Sequence, residues 1–262
     1  MKKSWLPIKN SNLLRLGNKN DGGYIVSREI VNNAEILVSF GISNDWSFEE
    51  DLILKSRCNY IVCYDHSVSK KIFFKEAIRM LFSAIAYPKN LNYKINRIKN
   101  YFQYINFFNQ KNIIHIEKKV SNNIVNELNN IDIQNVFKNF SSKKILLKID
   151  IEGSEYRILN DICKIKDKLI GIIIEFHDID LNINKIQDFI DSISEFKILH
   201  IHGNNCGEVD NEGNPTIIEM TLLNINLIKY NFEEFNNQKY PLNKIDFPND
   251  PFKKDIKLEF ND

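Results

Sequence analysis

The chain has 262 residues, 43% hydrophobic and 26% charged, with a formal net charge of +1. This is enough chain to bury a large α/β core, and the composition excludes the disordered and low-complexity classes. No apolar run reaches the length of a membrane-spanning helix, and no leader-like stretch follows Met1-Lys-Lys-Ser-Trp5. Cys58, Cys63, Cys163 and Cys206 form no CxxC pair and no metal-like spacing, so reduced thiols and a cytoplasmic setting are expected.

Leu13 to Val26 reads as a strand, a tight turn and a second strand, because Asp21-Gly22-Gly23 supplies glycines that accept positive φ. A surface hairpin satisfies that pattern as well as a functional loop does. Glu35 to Glu50 is more informative. Ile36 to Phe40 form a buried strand, Gly41 opens a turn, and Ser47 with Glu50 has capping-box spacing, so a helix begins there. A strand, a glycine turn and a helix make the nucleoside-binding corner of a Rossmann-like sheet. Here Gly41-Ile-Ser43-Asn lacks the further glycines that let a backbone approach a pyrophosphate.

Tyr60 to Tyr64 is a second buried strand ending at Asp65 and His66. Asp65 lies about one βαβ step beyond Gly41, where a carboxylate receives the hydroxyls of a bound ribose. A turn or N-cap aspartate is the structural alternative. Ser69 to Gln110 is then longer than one crossover helix requires. Ile72, Phe73, Ala77, Met80, Leu81, Ala84 and Ile85 recur at helical spacing, Pro88 breaks the pattern, and Leu91 to Phe108 gives a second amphipathic helix rich in Tyr and Phe. This insertion, residues 69–110, carries eight basic residues against one acid, a net charge of +7 that leaves −6 for the rest of the chain. Such an imbalance suits a lid for an anionic acceptor, with Lys94, Arg97 and Lys99 as its cations. A membrane-surface contact suits it too, and the aromatic face offers a homodimer interface.

Ile113 to Ile116 is a third strand with Val120 and Ser121 near its end, and Asn122 to Phe137 reads as helical. Ile145 to Ile149 is a nearly unbroken apolar run ending in Asp150, Glu152 and Gly153, as expected of a central parallel strand buried on both faces. Ligands of open α/β sheets sit just past such strand ends. Gly171 to His177 is a fifth strand that puts Glu175 and His177 on one side of the pleat, Phe196 to His202 a sixth, and Thr216 to Leu223 a seventh. The proline-bearing tail from Tyr240 to Pro251 is extended and wraps the surface.

Lys148-Ile-Asp150-Ile-Glu152-Gly-Ser-Glu155 resembles the KIDVEGxE signature of FkbM-type methyltransferases. Ser39-Phe-Gly41-Ile with Asp45, Ser47 and Phe48 is similar to the corresponding motif of that group, and Arg15 followed by Asp21-Gly-Gly-Tyr24 also occurs near the start of some members. The resemblance implies one domain over residues 1–262, a class I methyltransferase sheet of seven mostly parallel strands flanked by helices, with residues 69–110 as a helical insertion after the second strand. It implies S-adenosylmethionine as cofactor, a phosphate-free ligand compatible with the sparse glycine turn. It further implies O-methylation of a sugar or surface-glycan precursor, an acceptor here expected to be anionic, such as a sugar nucleotide.

On that reading Ser39, Gly41, Ser43, Asp65, His66, Ser121 and Asp150 bind the cofactor. A hydroxyl acceptor loses a proton as it is methylated, and His177 at a central strand end is the candidate base, with Asp150 beside it and His202 as the competitor. Asp150, His177 and His202 are also a conceivable divalent-cation set, but two histidines suit a magnesium-type ion poorly and a metal-free reaction is favoured. Glu152 has a simpler role available at a helix start, and Asn204 and Asn205 either orient an acceptor hydroxyl or form a turn. Phosphate- or phosphoramidate-type groups, lipids and secondary metabolites are alternative acceptors. No NPPY-like stretch is present, which speaks against a nucleic-acid base as substrate. A non-catalytic module docking on an anionic partner is the rival from outside the enzymes.

Overall fold

The apolar runs become strands because their Ile, Val and Leu side chains fill both faces of a pleat at once. In the computed structural model, which describes residues 1–9, 12–122, 129–228 and 236–261, seven of them form one sheet. They are β1 (Ile36–Phe40), β2 (Tyr60–Tyr64), β3 (Ile113–Ile116), β4 (Ile145–Ile149), β5 (Leu169–Phe176), β6 (Phe196–Gly203) and β7 (Ile218–Asn224). Their spatial order is β6-β7-β5-β4-β1-β2-β3. β1 pairs in parallel with β2 and β4, β2 with β3, and β4 with β5, whereas β7 runs antiparallel to both β5 and β6.

Period-two alternation divides the core between the two faces. Val38 and Leu147 join one buried cluster, their neighbours Leu37 and Leu146 the other. The first face is covered by α5 (Ile133–Phe137), α6 (Leu159–Ile165) and α7 (Ile179–Ser192). The second packs against α1 (Arg28–Asn33), α2 (Ser47–Lys55) and the bases of α3 (Lys70–Ala86) and α4 (Leu91–Phe108). The chain leaves β1 toward β3 on one side and returns through β4 on the other. A crevice therefore opens past the carboxyl ends of β1 and β4, the switch point at which such sheets bind ligands.

Several local expectations change. Ser47 begins α2 but does not cap it: its hydroxyl accepts the Asn18 N–H, and its own N–H donates to Asp45 Oδ1. Of the helix expected over Asn122 to Phe137, residues 123–128 lie outside the described residues. Asn130–Ile131 instead pair with Lys119–Val120, and the helix runs only from Ile133, capped by Asp132. The early hairpin, Leu13–Leu16 with Tyr24–Ser27, forms as read, yet only Gly22 of its two turn glycines has positive φ. The tail does wrap the body, bridging Tyr240 to Leu258, and it carries partners for β6 that the sequence did not indicate.

Candidate active site

The glycine turn is built by close approach. Gly41 has φ +80°, and a Cβ there would stand 1.7 Å from the Asp150 carbonyl oxygen, so no other residue lets β1 and β4 end side by side. Asp65 at the end of β2 holds this turn. Its Oδ2 accepts the N–H groups of Ile42 and Ser43 at 2.9 Å each, and its Oδ1 accepts the Ser67 N–H at 2.7 Å and hydroxyl at 2.6 Å. Burial would raise this carboxyl, but the four donors leave it below its ordinary value. They also fill the lone-pair sites of the carboxylate. Asp65 lines the crevice as expected, but receiving two ribose hydroxyls requires it to release Ser67 first.

Beneath the turn lies a buried ion pair hidden inside apolar-looking segments. Lys148, in the middle of β4, stands 3.6 Å from Glu49 of α2, and its ammonium donates to the Gly41 carbonyl at 3.2 Å. Ser39 of β1 donates its hydroxyl to Glu49 at 2.6 Å. Burial alone would lower the Lys148 ammonium; the charges of Glu49 and Asp150 outweigh it and leave it raised. Lys148 also lies 5.0 Å from the Tyr24 ring centre, within cation–π reach. Ser39 therefore braces the turn from below and does not line the crevice.

The crevice, of about 640 Å³, is within the size range of small-molecule sites. One wall is the end of β5. There the His177 N–H and Nδ1 both meet Glu155 Oε1, at 2.7 and 3.1 Å. A carboxylate only accepts, so Nδ1 carries the proton and Nε2 is turned toward Glu152 and Glu175, 3.4 and 4.0 Å away. The Tyr156 hydroxyl holds the His177 carbonyl. Burial would lower the imidazole, but the bonded Glu155 carboxylate, with Glu175 and Asp150 nearby, pushes it up to about 9.

Asp150 is joined to this wall by a residue the sequence did not single out. The Tyr24 hydroxyl donates to Asp150 Oδ2 at 3.0 Å and stands 3.3 Å from Glu175 Oε2. Burial, with the charges of Asp150 and Glu219, pushes the Glu175 carboxyl far above the carboxylate range. A protonated Glu175 can then donate to Tyr24 while Tyr24 donates to Asp150, so the half-buried Asp150 carboxylate at the mouth of the crevice ends a chain of donors. Asn204 lines the crevice, but its amide is engaged by Glu175 at 2.7 Å and by the Cys206 N–H. Asn205 binds carbonyls of the tail instead.

Gly41, Ser43, Asp65, His66, Asp150 and His177 thus meet at one crevice, joined by Asp21, Gly22 and Tyr24 of the hairpin. Ser121 is not in its lining; its N–H donates to Ile131 across the strand pair noted above. His202 is not there either. It is buried between Asp255 of the tail, 3.0 Å from Nε2, and Glu219 of β7, 3.4 Å from Nδ1. Burial would lower it, but those carboxylates raise it to about 10. The expected metal set changes accordingly: among the described residues, Asp150, Glu152 and His177 offer atoms within 4.8 Å of one another, without His202. The acceptor lid loses two of its three cations as well. Arg97 pairs with Glu76 through two hydrogen bonds of 2.8 Å, and buried Lys94 caps α3 by donating to the Ser83 and Tyr87 carbonyls.

A sheet ordered 6-7-5-4-1-2-3 with only its seventh strand reversed, and a turn at the β1–β4 switch point without the further glycines of a pyrophosphate cradle, is the arrangement of a class I S-adenosylmethionine-dependent methyltransferase. Residues 31–207 match the methyltransferase FkbM domain, and the chain belongs to that family. The crevice suits the cofactor: Asp21, Asp45, Asp65, Asp150 and Glu152 line it and complement a ligand carrying a sulfonium and an ammonium, while Lys118 and Lys119, which line it too, complement that ligand's carboxylate.

No curated protein matches the chain. Similar solved structures include a fibrillarin/Nop5p complex, at 11% identity and TM-score 0.38 over 74% of each chain. TrmK of M. capricolum, bound to S-adenosylhomocysteine, gives 11% identity and TM-score 0.38 over 75% of this chain and 66% of its own. A precorrin-6y C5,15-methyltransferase of Geobacter metallireducens gives 9% and 0.36 over 73% and 82%.

Proposed function

We propose that the chain O-methylates a hydroxyl of a sugar or surface-glycan precursor. The observation that supports this most is the pairing, on one wall of the crevice, of the Asp150 carboxylate with the Nε2 face of His177. Both accept hydrogen bonds from hydroxyl groups once His177 is neutral, which suits a polyhydroxyl acceptor. Bound S-adenosylmethionine supplies an electrophilic methyl group for in-line transfer. The chain's own residues position and deprotonate the nucleophile. Asp150, fixed by Tyr24, orients the acceptor hydroxyl, and His177, fixed by Glu155, takes its proton on Nε2. Glu175 keeps its proton and prevents two bare carboxylates from facing each other across Tyr24.

The test is incubation with isotopically labelled S-adenosylmethionine and separate pools of free sugars, sugar nucleotides and glycolipids, followed by mass spectrometry. Label on a sugar oxygen, lost in His177→Ala, is the expected result. Label found only on nitrogen or on a phosphate-type group would overturn the acceptor assignment.

A further inference from the structure

The α3–α4 hairpin leaves the sheet half-packed. At its base Phe73 and Tyr104 are buried, each 5.8 Å ring to ring from Trp46. Beyond Met80 the pattern changes. Every large hydrophobic side chain from Leu81 to Tyr93 is exposed: Leu81, Phe82, Ile85, Tyr87, Leu91 and Tyr93. Eleven of the eighteen large hydrophobic side chains exposed among the described residues belong to residues 69–110. Apolar patches of this kind on a folded surface mark a place of contact.

The charge around this patch identifies the contact. With Arg97 and Glu76 paired and Lys94 capping α3, the cations left over are Lys70, Lys71, Lys75, Arg79, Lys89 and Lys99. All six are exposed, and their side chains form no ion pair among the described residues. On α3 the basic stripe Lys71, Lys75, Arg79 follows the i, i+4 rule and flanks the apolar stripe Phe74, Ile78, Phe82, Ile85. This is the arrangement of an interfacial helix, in which lysine stems lie along apolar matter while their ammonium groups reach the headgroup layer. A second copy packed hairpin to hairpin would bring +7 against +7. Single-stranded nucleic acid could stack on exposed Phe82, Tyr87 and Tyr93, but it leaves the aliphatic Leu81, Ile85 and Leu91 of the same end without a partner, whereas a bilayer takes up both kinds.

We propose that the hairpin docks the protein on an anionic lipid bilayer, its Leu81–Tyr93 end entering at headgroup depth. The docking is independent of the acceptor and of methyl transfer. The full chain is sedimented with phosphatidylcholine vesicles and with vesicles one third phosphatidylglycerol. Binding only to the second, weakened by salt, is expected. Lys75→Gln with Arg79→Gln should weaken it about thirtyfold, taking roughly 1 kcal/mol for each basic residue near an anionic surface. Phe82→Ser with Ile85→Ser should abolish it while S-adenosylhomocysteine binding, read by calorimetry, stays unchanged. Failure to sediment with anionic vesicles, or equal binding to neutral ones, would overturn the proposal. So would substitutions that leave vesicle binding intact but dissolve a dimer in analytical ultracentrifugation or abolish RNA retention on filters.

Discussion

Lys148→Met isolates the buried pair under the glycine turn. The Lys148 and Glu49 side chains are 4% and 0% exposed, so removing the ammonium leaves a carboxylate buried with only the Ser39 hydroxyl for compensation. Breaking one partner of such a pair costs about 3–5 kcal/mol. The substitution also removes the hydrogen bond to Gly41, so cofactor affinity should fall together with stability. Adding Glu49→Gln keeps an acceptor for Ser39 and takes away the stranded charge. The double variant should therefore recover about 2 kcal/mol of the loss while cofactor affinity remains weakened, because the Gly41 tether is still missing. Equilibrium urea unfolding followed by tryptophan fluorescence reads the first quantity, and calorimetric titration reads the second. A loss below about 1 kcal/mol for Lys148→Met, or strictly additive single and double variants, would refute the reasoning.

Other consequences concern the site and its pH dependence. If neutral His177 takes the acceptor proton, kcat/KM rises with pH to a limit near 9, and Glu155→Gln, which removes the carboxylate holding the proton on the ring, moves that limit to lower pH. A profile flat between pH 6 and 9 would contradict the base assignment. Tyr24→Phe should lower kcat by about tenfold to a hundredfold with little change in cofactor affinity, since it unties Asp150 and Glu175 without touching the glycine turn; unchanged kcat would remove Tyr24 from the mechanism. His202, raised to about 10 by Asp255 and Glu219, favours the folded state fully below its unfolded value near 6.5. That contribution, at most about 5 kcal/mol, is lost as pH climbs from 6.5 to 10, and His202→Gln should flatten the decline in stability across this window. Turnover should survive prolonged EDTA treatment, because His177 Nε2 has to be free to take the acceptor proton and a cation bound there would occupy it; loss of activity restored by magnesium or manganese would assign the Asp150, Glu152 and His177 cluster to a metal.

The sheet was legible because its signals are local. Unbroken apolar runs ending in Gly41, Asp65, Asp150 and His177 mark buried strands and their ligand-facing ends, and helical spacing with a break at Pro88 located α3 and α4 closely. What escaped depends on contacts across the chain. Tyr24 meets Asp150 over a separation of 126 residues, and its local marks, a turn sequence and the Asp21-Gly-Gly-Tyr24 resemblance, gave it no role of its own. Lys148 and Glu49 read as an ordinary strand lysine and helix glutamate until the fold buries them together. His202 shares β6 with His200, and nothing local separated it from a candidate base until the tail supplied Asp255 to it and Asp246 to its neighbour. Lys94 was counted among the charges facing an acceptor, because composition registers a cation but not the helix end it caps.

Calorimetric titration with S-adenosylhomocysteine, in the wild type and in Gly41→Ala, tests the central claim most directly. A Cβ at Gly41 would collide with the Asp150 carbonyl and force apart the strand ends that frame the crevice. Micromolar binding by the wild type, lost in a variant whose circular dichroism shows it still folded, is the predicted result. No binding by the wild type at any usable concentration, or equal binding by both proteins, would contradict the assignment of the cofactor to this crevice.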